Sequence, residues 1–272
     1  MNYGLFYRNI LWPTYERVRC RHAYQLWKLA EQRQWLSADE LRYFQQNEVT
    51  KLLQHANAHC RWYQEYFNRV GLNPNQVQTL DNFQSLPLLT KSDIRQSREE
   101  MLATNYWRQV YEHKTGGSSG VPLQFYVSRT SYEWRCAMTS RGYGWAGALD
   151  GEKIFYLWGA PVGKPSLLKR AKSAAQYAIL RRKYYNNFRL SKSSLPHCLE
   201  SLNRFAPRVL VGYTTMLEYL ARYIKLHGGL RTKLQSVITA AETVTPAQRE
   251  LLHEVFQVPV LVCDLRLSFR ES

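Results

Sequence analysis

The chain has 272 residues, enough for one large domain or two modest ones, and 45% of them are hydrophobic, which argues against disorder. Its 37 basic and 21 acidic residues leave a net charge of +16, a balance suited to anionic partners: nucleotides, nucleic acid or an anionic membrane surface. No stretch reaches the ~20 apolar residues of a membrane span, and "MNYGLFYRNILWPTYERVRC" lacks the apolar core of a signal peptide, so a cytoplasmic setting is expected, peripheral to the inner face of the membrane if it contacts one.

Residues 1–70 read as helical. Ser37 with Glu40 three residues later fits a capping box, and Leu41, Phe44, Val49, Leu52, Leu53 and Ala56 then recur at roughly helical spacing. His55 and His59 sit four apart beside Cys60, a metal-like spacing without further ligands, so surface or cap-packed histidines are expected. The five cysteines are scattered, with no Cys-x-x-Cys pair, and read as reduced thiols. Gly71 to Pro74 breaks the helix. Leu86 to Leu89 reads as extended, and Thr90 or Ser92 then caps a short helix with Asp93 in its first turn.

"WRQVYEHKT" reads as a strand, and "VPLQFYVS", from Val121, as another with period-two alternation. A helix is expected from Ser131 to about Tyr143, then a buried strand in "EKIFYLWGAP". Over Ser166–Arg182, Leu167, Leu168, Ala171, Ala175, Ala178 and Ile179 form one helical stripe among cations, predicting a helix of roughly 25 Å. "LPHCLESLNRFAP" is a further helix. "RVLVGYTTMLEYLARYIKLHGG" reads as strand, turn, helix and glycine stop, "LQSVITAAETVTPAQRELLHEVF" as strand, loop and helix, and "PVLVCD" as a final strand. The alternation predicts an α/β fold with parallel pairing.

Between two of these strands stands "HKTGGSSGVPLQF". Gly116 to Gly120 spells G-x-S-x-G, which raises a serine hydrolase using Ser118, with Glu218 or Glu242 and then His253 downstream. A nucleophile elbow, however, turns from a strand directly into a helix, and here a proline-containing strand follows. A Walker loop needs Gly-Lys-Ser/Thr opening a helix, which is also missing. Consecutive glycines can aim several backbone N–H groups into one concavity for oxyanions. Thr115, Ser118 and Ser119 add hydroxyl donors. The loop therefore reads as phosphate-binding rather than as a plain hairpin tip.

"TGGSSGVP" resembles the phosphate-binding signature of adenylate-forming enzymes, the superfamily of acyl- and aryl-CoA ligases. "LPLLTKSDIR" resembles the LP-x-x-x-K-x-D lead-in of the phenylacetate–CoA ligase branch, which includes homologues from capsular polysaccharide gene clusters. "VLVGYTTMLEYLARYI" resembles its GYPS-x-L-x-x-LA segment, with Thr214 in place of proline. "ITAAETVTPAQRELLHEVF" resembles its GE-x-L-x-x-x-x-R segment, with Glu242 in the matching place. The resemblance runs from about residue 40 to about residue 260. It implies joining of a carboxylate to AMP from ATP with Mg, then passage of the acyl group to a thiol such as coenzyme A. Thr115, Gly116, Gly117, Ser118, Ser119 and Gly120 would hold phosphates, Glu242 with Ala240 and Ala241 would line the nucleotide pocket, and Gly212 or Tyr213 would border the acyl pocket. At the residue level, Glu242 also reads as a loop carboxylate capping the next helix and Tyr213 as core.

The pattern departs after "VPVLVCD". The family carries Tyr-Gly-x-x-Glu there, an adenine-stacking aromatic and a magnesium carboxylate, and this sequence reads "LRLSFRES". The catalytic lysine of the C-terminal lid domain has no counterpart either, so no catalytic residue and no metal ligand is assigned. The resemblance thus implies an incomplete N-terminal domain of an adenylate-forming enzyme, C-terminally truncated and inactive alone. It would have a helical lead-in over 1–85 and an α/β nucleotide-binding core over 86–272 with mixed sheets flanked by helices. A second function class competes. From Lys153 to Cys198 there is no Asp or Glu and there are ten Lys or Arg, which suits a helix lying on anionic lipid. "RRKYYNNFR" mixes cations and rings, which suits nucleic acid less strongly.

Overall fold

The computed structural model describes residues 2–77, 86–106, 108–115, 122–159, 166–186 and 190–263. The chain divides into two compact units, Lys28–Trp134 and a second made of Met1–Trp27 with Arg135–Ser272. It opens with α1 (Tyr3–Phe6), a π-helical turn at Tyr7–Leu11 and α2 (Trp12–Val18). Helices α3 (Ala23–Arg33), α4 (Ala38–His59) and α5 (Arg61–Val70) follow. The Ser37 capping box forms: its hydroxyl accepts from Glu40 N while the Glu40 carboxylate accepts from Ser37 N. The apolar face of α4 is narrower than the spacing predicts. Leu53 and Ala56 are buried with Phe67 and Val77, whereas Leu41 and Leu52 are exposed. Gly71 ends α5 in the left-handed conformation, which costs glycine nothing.

Short helix α6 (Lys91–Gln96) is capped by Thr90, which forms a second reciprocal box with Asp93. Strands β1 (Val110–Lys114) and β2 (Gln124–Ser128) pair as an antiparallel ribbon with Lys114 opposite Gln124. The second strand starts later than the alternation predicts, because Pro122 has no N–H for the ladder. Helix α7 (Arg129–Trp145) follows directly and is a turn longer than predicted.

Strands β3 (Ile154–Trp158), β4 (Arg182–Asn186), β5 (Val209–Tyr213), β6 (Ser236–Ala240) and β7 (Val260–Cys263) form one parallel sheet in the order β4-β3-β5-β6-β7. The connections carry α8 (Leu167–Ile179), α9 (Leu195–Phe205), α10 (Thr214–His227) and α11 (Pro246–Phe256). The five-stranded sheet is wholly parallel and the ribbon wholly antiparallel, so neither is a mixed sheet. Phe155, Leu157 and Leu210 point to one face and pack on Leu199 and Leu202 of α9, Leu217 and Leu220 of α10, and Leu252 of α11. Ile154, Tyr156, Val209, Val211 and Ile238 point to the other, against Tyr143 of α7 and Ala146 just after it. Burial on both faces explains why these strands read as continuous apolar runs.

One expectation is corrected. The helix predicted over 166–182 closes at Ile179, because Arg181 turns the chain with φ 53° and Arg182 already begins β4. In "RRKYYNNFR" the described rings, Tyr184 and Tyr185, pack against other rings, and Phe188 lies outside the described residues. Tyr184 stacks on Tyr156 and packs tilted against Tyr177, each at 4.6 Å between centroids. Arg182 pairs with Asp150 at 2.8 Å, both nearly buried. Arg8 donates to the Asp150 carbonyl at 3.0 Å, which ties the N-terminal helices to this sheet.

Candidate functional site

The order β4-β3-β5-β6-β7 reverses direction between β3 and β5. The chain leaves β3 toward β4 on one side, then returns across it to β5 on the other. In open parallel sheets such a switch point leaves a crevice beyond the carboxyl ends of the strands, where ligands bind. Here those ends carry Trp158 on β3 and Tyr213 on β5. Their rings stack at 4.6 Å with an interplanar angle of 21°. Burial first, and the Glu242 charge second, push the Tyr213 phenol above its ordinary value, so it stays a neutral donor at neutral pH.

Gly212, just before Tyr213, is buried and packed between strands. A Cβ there would lie 3.0 Å from Leu157 Cβ and 3.1 Å from Leu217 Cγ. Its smallness lets α10 approach β3 and β5 closely. It lies one residue before the carboxyl end of β5.

Glu242 follows β6 through Ala241, whose φ of 64° is left-handed for a non-glycine residue. This turn aims the carboxylate at the start of α10. Glu242 Oε2 accepts from the Thr215 N–H at 2.7 Å, and both carboxylate oxygens accept from Thr215 Oγ1 at 3.0 Å. The carboxylate thus satisfies an otherwise open donor at a helix N-terminus and complements its dipole. It also links the ends of β5 and β6. Glu242 thus caps α10, the preceding helix, and not, as the capping reading expected, the next helix, α11. The latter carries its own cap, a reciprocal box of Thr245 with Gln248.

In the other unit, Thr115 closes the β1–β2 ribbon. Its N–H donates to Leu123 O and its hydroxyl accepts from Leu123 N, both at 2.9 Å. Gly116, Gly117, Ser118, Ser119 and Gly120 lie outside the described residues. The element after the loop is strand β2, whereas a serine elbow requires a helix there. At the ribbon's base, Arg98 Nη1 donates to Gln124 Oε1 at 2.7 Å and to Glu112 Oε1 at 3.1 Å, bridging the two stems.

The structure thus brings Gly212, Tyr213 and Glu242 to one edge and sets Thr115 at the mouth of the loop. Sequence reasoning missed Trp158 and Thr215. Trp158 ends a buried run and carries no motif; only its partner across the switch point gives it a place. The histidine pair packs without convergent ligands: His55 meets Asn105 and stands edge-on to Tyr106. Among the described residues no group of three or more His, Cys, Asp or Glu could hold a metal ion, and no helix is long and apolar enough to cross a membrane.

The fold of the chain is similar to that of about half of 2-hydroxyisobutyryl-CoA ligase. The open form of that ligase, in complex with 2-HIB-AMP and CoA, is similar with a TM-score of 0.61 at 17% identity, over 84% of this chain and 50% of that one. The same ligase in its thioesterification state gives 0.61 at 17% identity, over 84% and 49%. Protein CapK of Staphylococcus aureus is 22% identical over 258 residues, 94% of this chain and 57% of CapK. The chain therefore spans about half the length of these proteins. No protein-family model matches it.

Proposed function

We propose that the chain is part of an AMP-forming enzyme that activates an acyl or aryl carboxylate, with coenzyme A or another thiol as acceptor. The observation that carries this reading is the fold: 84% of the chain shares it with a ligase whose structure holds an acyl-AMP and CoA. A polysaccharide or cell-surface pathway is supported by the likeness to CapK. The crevice suits a flat ligand, because two stacked rings border it and Tyr213 keeps its proton.

The roles follow from charge. A carboxylate must approach the α-phosphate of a polyanion, so phosphate oxygens need donors held in place beforehand. The amides of Gly116, Gly117 and Gly120, with the hydroxyls of Thr115, Ser118 and Ser119, would supply them. Glu242, fixed by Thr215, would line the nucleotide pocket with Ala240 and Ala241, and Gly212 and Tyr213 would bound the acyl side. Bound ATP would supply the adenylyl group, and Mg on its phosphates would offset their charge.

The sequence after β7, "LRLSFRES", stands where the resemblance calls for Tyr-Gly-x-x-Glu. The 272-residue polypeptide alone is therefore expected to bind nucleotide with little or no turnover. Calorimetric titration with ATP, paired with ATP–pyrophosphate exchange over a panel of aryl and fatty acids, tests both parts. Saturable ATP binding with background exchange is expected. A folded chain that ignores ATP refutes the nucleotide role, and robust carboxylate-dependent exchange refutes the inactivity of this polypeptide.

A further inference from the structure

Helix α8 lies on the molecule with its apolar side outward. Residues of an α-helix are offset by about 100° each, so Leu167, Leu168, Ala171, Ala175, Ala178 and Ile179 share one side. All six are exposed, Leu167 and Leu168 at 81% and Ile179 at 53%. The opposite side carries Ser173, Gln176 and Tyr177, which are half-buried, and Tyr177 packs on Tyr184 of β4. A helix that lives wholly in water is laid the other way, apolar stripe to the core and polar side out. The stripe therefore calls for an apolar occupant.

Charge selects which one. Arg170 and Lys172 are exposed and flank the stripe on its two borders, where long cationic side chains can reach from an apolar face to a polar boundary. No acid stands between Lys153 and Cys198 to offset Arg170 and Lys172. A second copy laid stripe to stripe would bring these cations together, and like charges at such range repel. An anionic lipid surface meets both demands, apolar chains for the stripe and negative headgroups for its borders.

The C-terminal end of α8 is also fixed to the start of the chain. Tyr3 Oη donates to the Ile179 carbonyl at 2.6 Å, and the Arg181 guanidinium lies 5.0 Å over the Tyr3 ring. Leu5 of that joined helix, α1, is 50% exposed. We propose that α8 is an interfacial helix that seats the protein on an anionic membrane surface, its Leu167–Leu168–Ile179 stripe entering the headgroup boundary and Arg170 and Lys172 engaging lipid phosphates and carboxylates.

The test is co-sedimentation of the full chain with vesicles of phosphatidylcholine alone and of phosphatidylcholine with phosphatidylserine. Leu168→Glu and the pair Arg170→Glu with Lys172→Glu are compared with the wild type. These side chains are exposed, so unchanged circular dichroism is expected for the variants. Binding should require phosphatidylserine, weaken as salt rises, and fall about tenfold or more in Leu168→Glu, the scale of losing one buried leucine. Three results would overturn the proposal. One is no pelleting with anionic vesicles at low salt. Another is pelleting that Leu168→Glu leaves unchanged, which would reduce the contact to diffuse charge. The third is a wild-type dimer in sedimentation equilibrium that Leu168→Glu makes monomeric, which would assign the stripe to a second copy.

Discussion

At the scale of single residues, Glu242 and Gly212 explain why one edge of the sheet is so closely built. The motif around Glu242 was legible in the sequence, but its bond partner was not. Thr215 lies 27 residues away, and only the pairing of β5 with β6 brings them together. Glu242→Ala removes a charge-assisted cap from α10 and leaves the Thr215 N–H without its acceptor. The expected loss is about 1–2 kcal/mol, read as a lower urea midpoint with an unchanged slope. Glu242→Gln keeps an oxygen acceptor and should recover part of that loss. No change in either variant would mean that the contact is not made in solution. Gly212 was noticed as part of a motif, yet its reason is packing: Leu157 and Leu217 leave no room for a side chain. Trp158 left no mark in the sequence beyond its place at the end of an apolar strand.

At the scale of elements, the local signals carried furthest where the chemistry is local. Ser37 with Glu40 and Thr90 with Asp93 each specify a helix start through groups three residues apart, and both boxes form. Hydrogen bonds, side-chain first and backbone second, hold Glu40 and Asp93 below their ordinary values. The sign follows from linkage. A carboxyl whose pKa is depressed on folding adds stability above its unfolded value, and that stability fades as pH falls through the folded value. Helix signal and urea midpoint should therefore decline on acidification below the usual carboxylate range. The decline should be shallower in Ser37→Ala and Thr90→Ala, which lack the hydroxyl that lowers each pKa. Equal slopes in wild type and variants would rule out these boxes as contributors. Helix α8 shows the opposite limit. Its stripe was plain from spacing, but spacing says only that a helix is two-sided. Which side meets the protein depends on where β4 and the N-terminal helix lie, and here the polar side does.

At the scale of the whole molecule, alternation of strands and helices was enough to predict a parallel α/β sheet. It was not enough to predict strand order. The reversal between β3 and β5 comes from chain direction, which no local pattern encodes, and it sets the Trp158–Tyr213 stack at the carboxyl ends of neighbouring strands. The glycine loop was the strongest single signal in the sequence, and its flanking strands pair as the strand–loop–strand reading requires. Its role in gripping phosphate remains the proposal to be tested. The most direct measurement is the affinity of the chain for a non-hydrolysable acyl-adenylate analogue, compared between wild type and Gly117→Pro, which removes one loop N–H and fixes its φ. Saturable binding by the wild type, lost or strongly weakened in a variant that still folds, is the expected result. Absence of binding by the folded wild-type chain, or equal binding by both, would contradict the assignment of this chain to adenylate chemistry through its glycine loop.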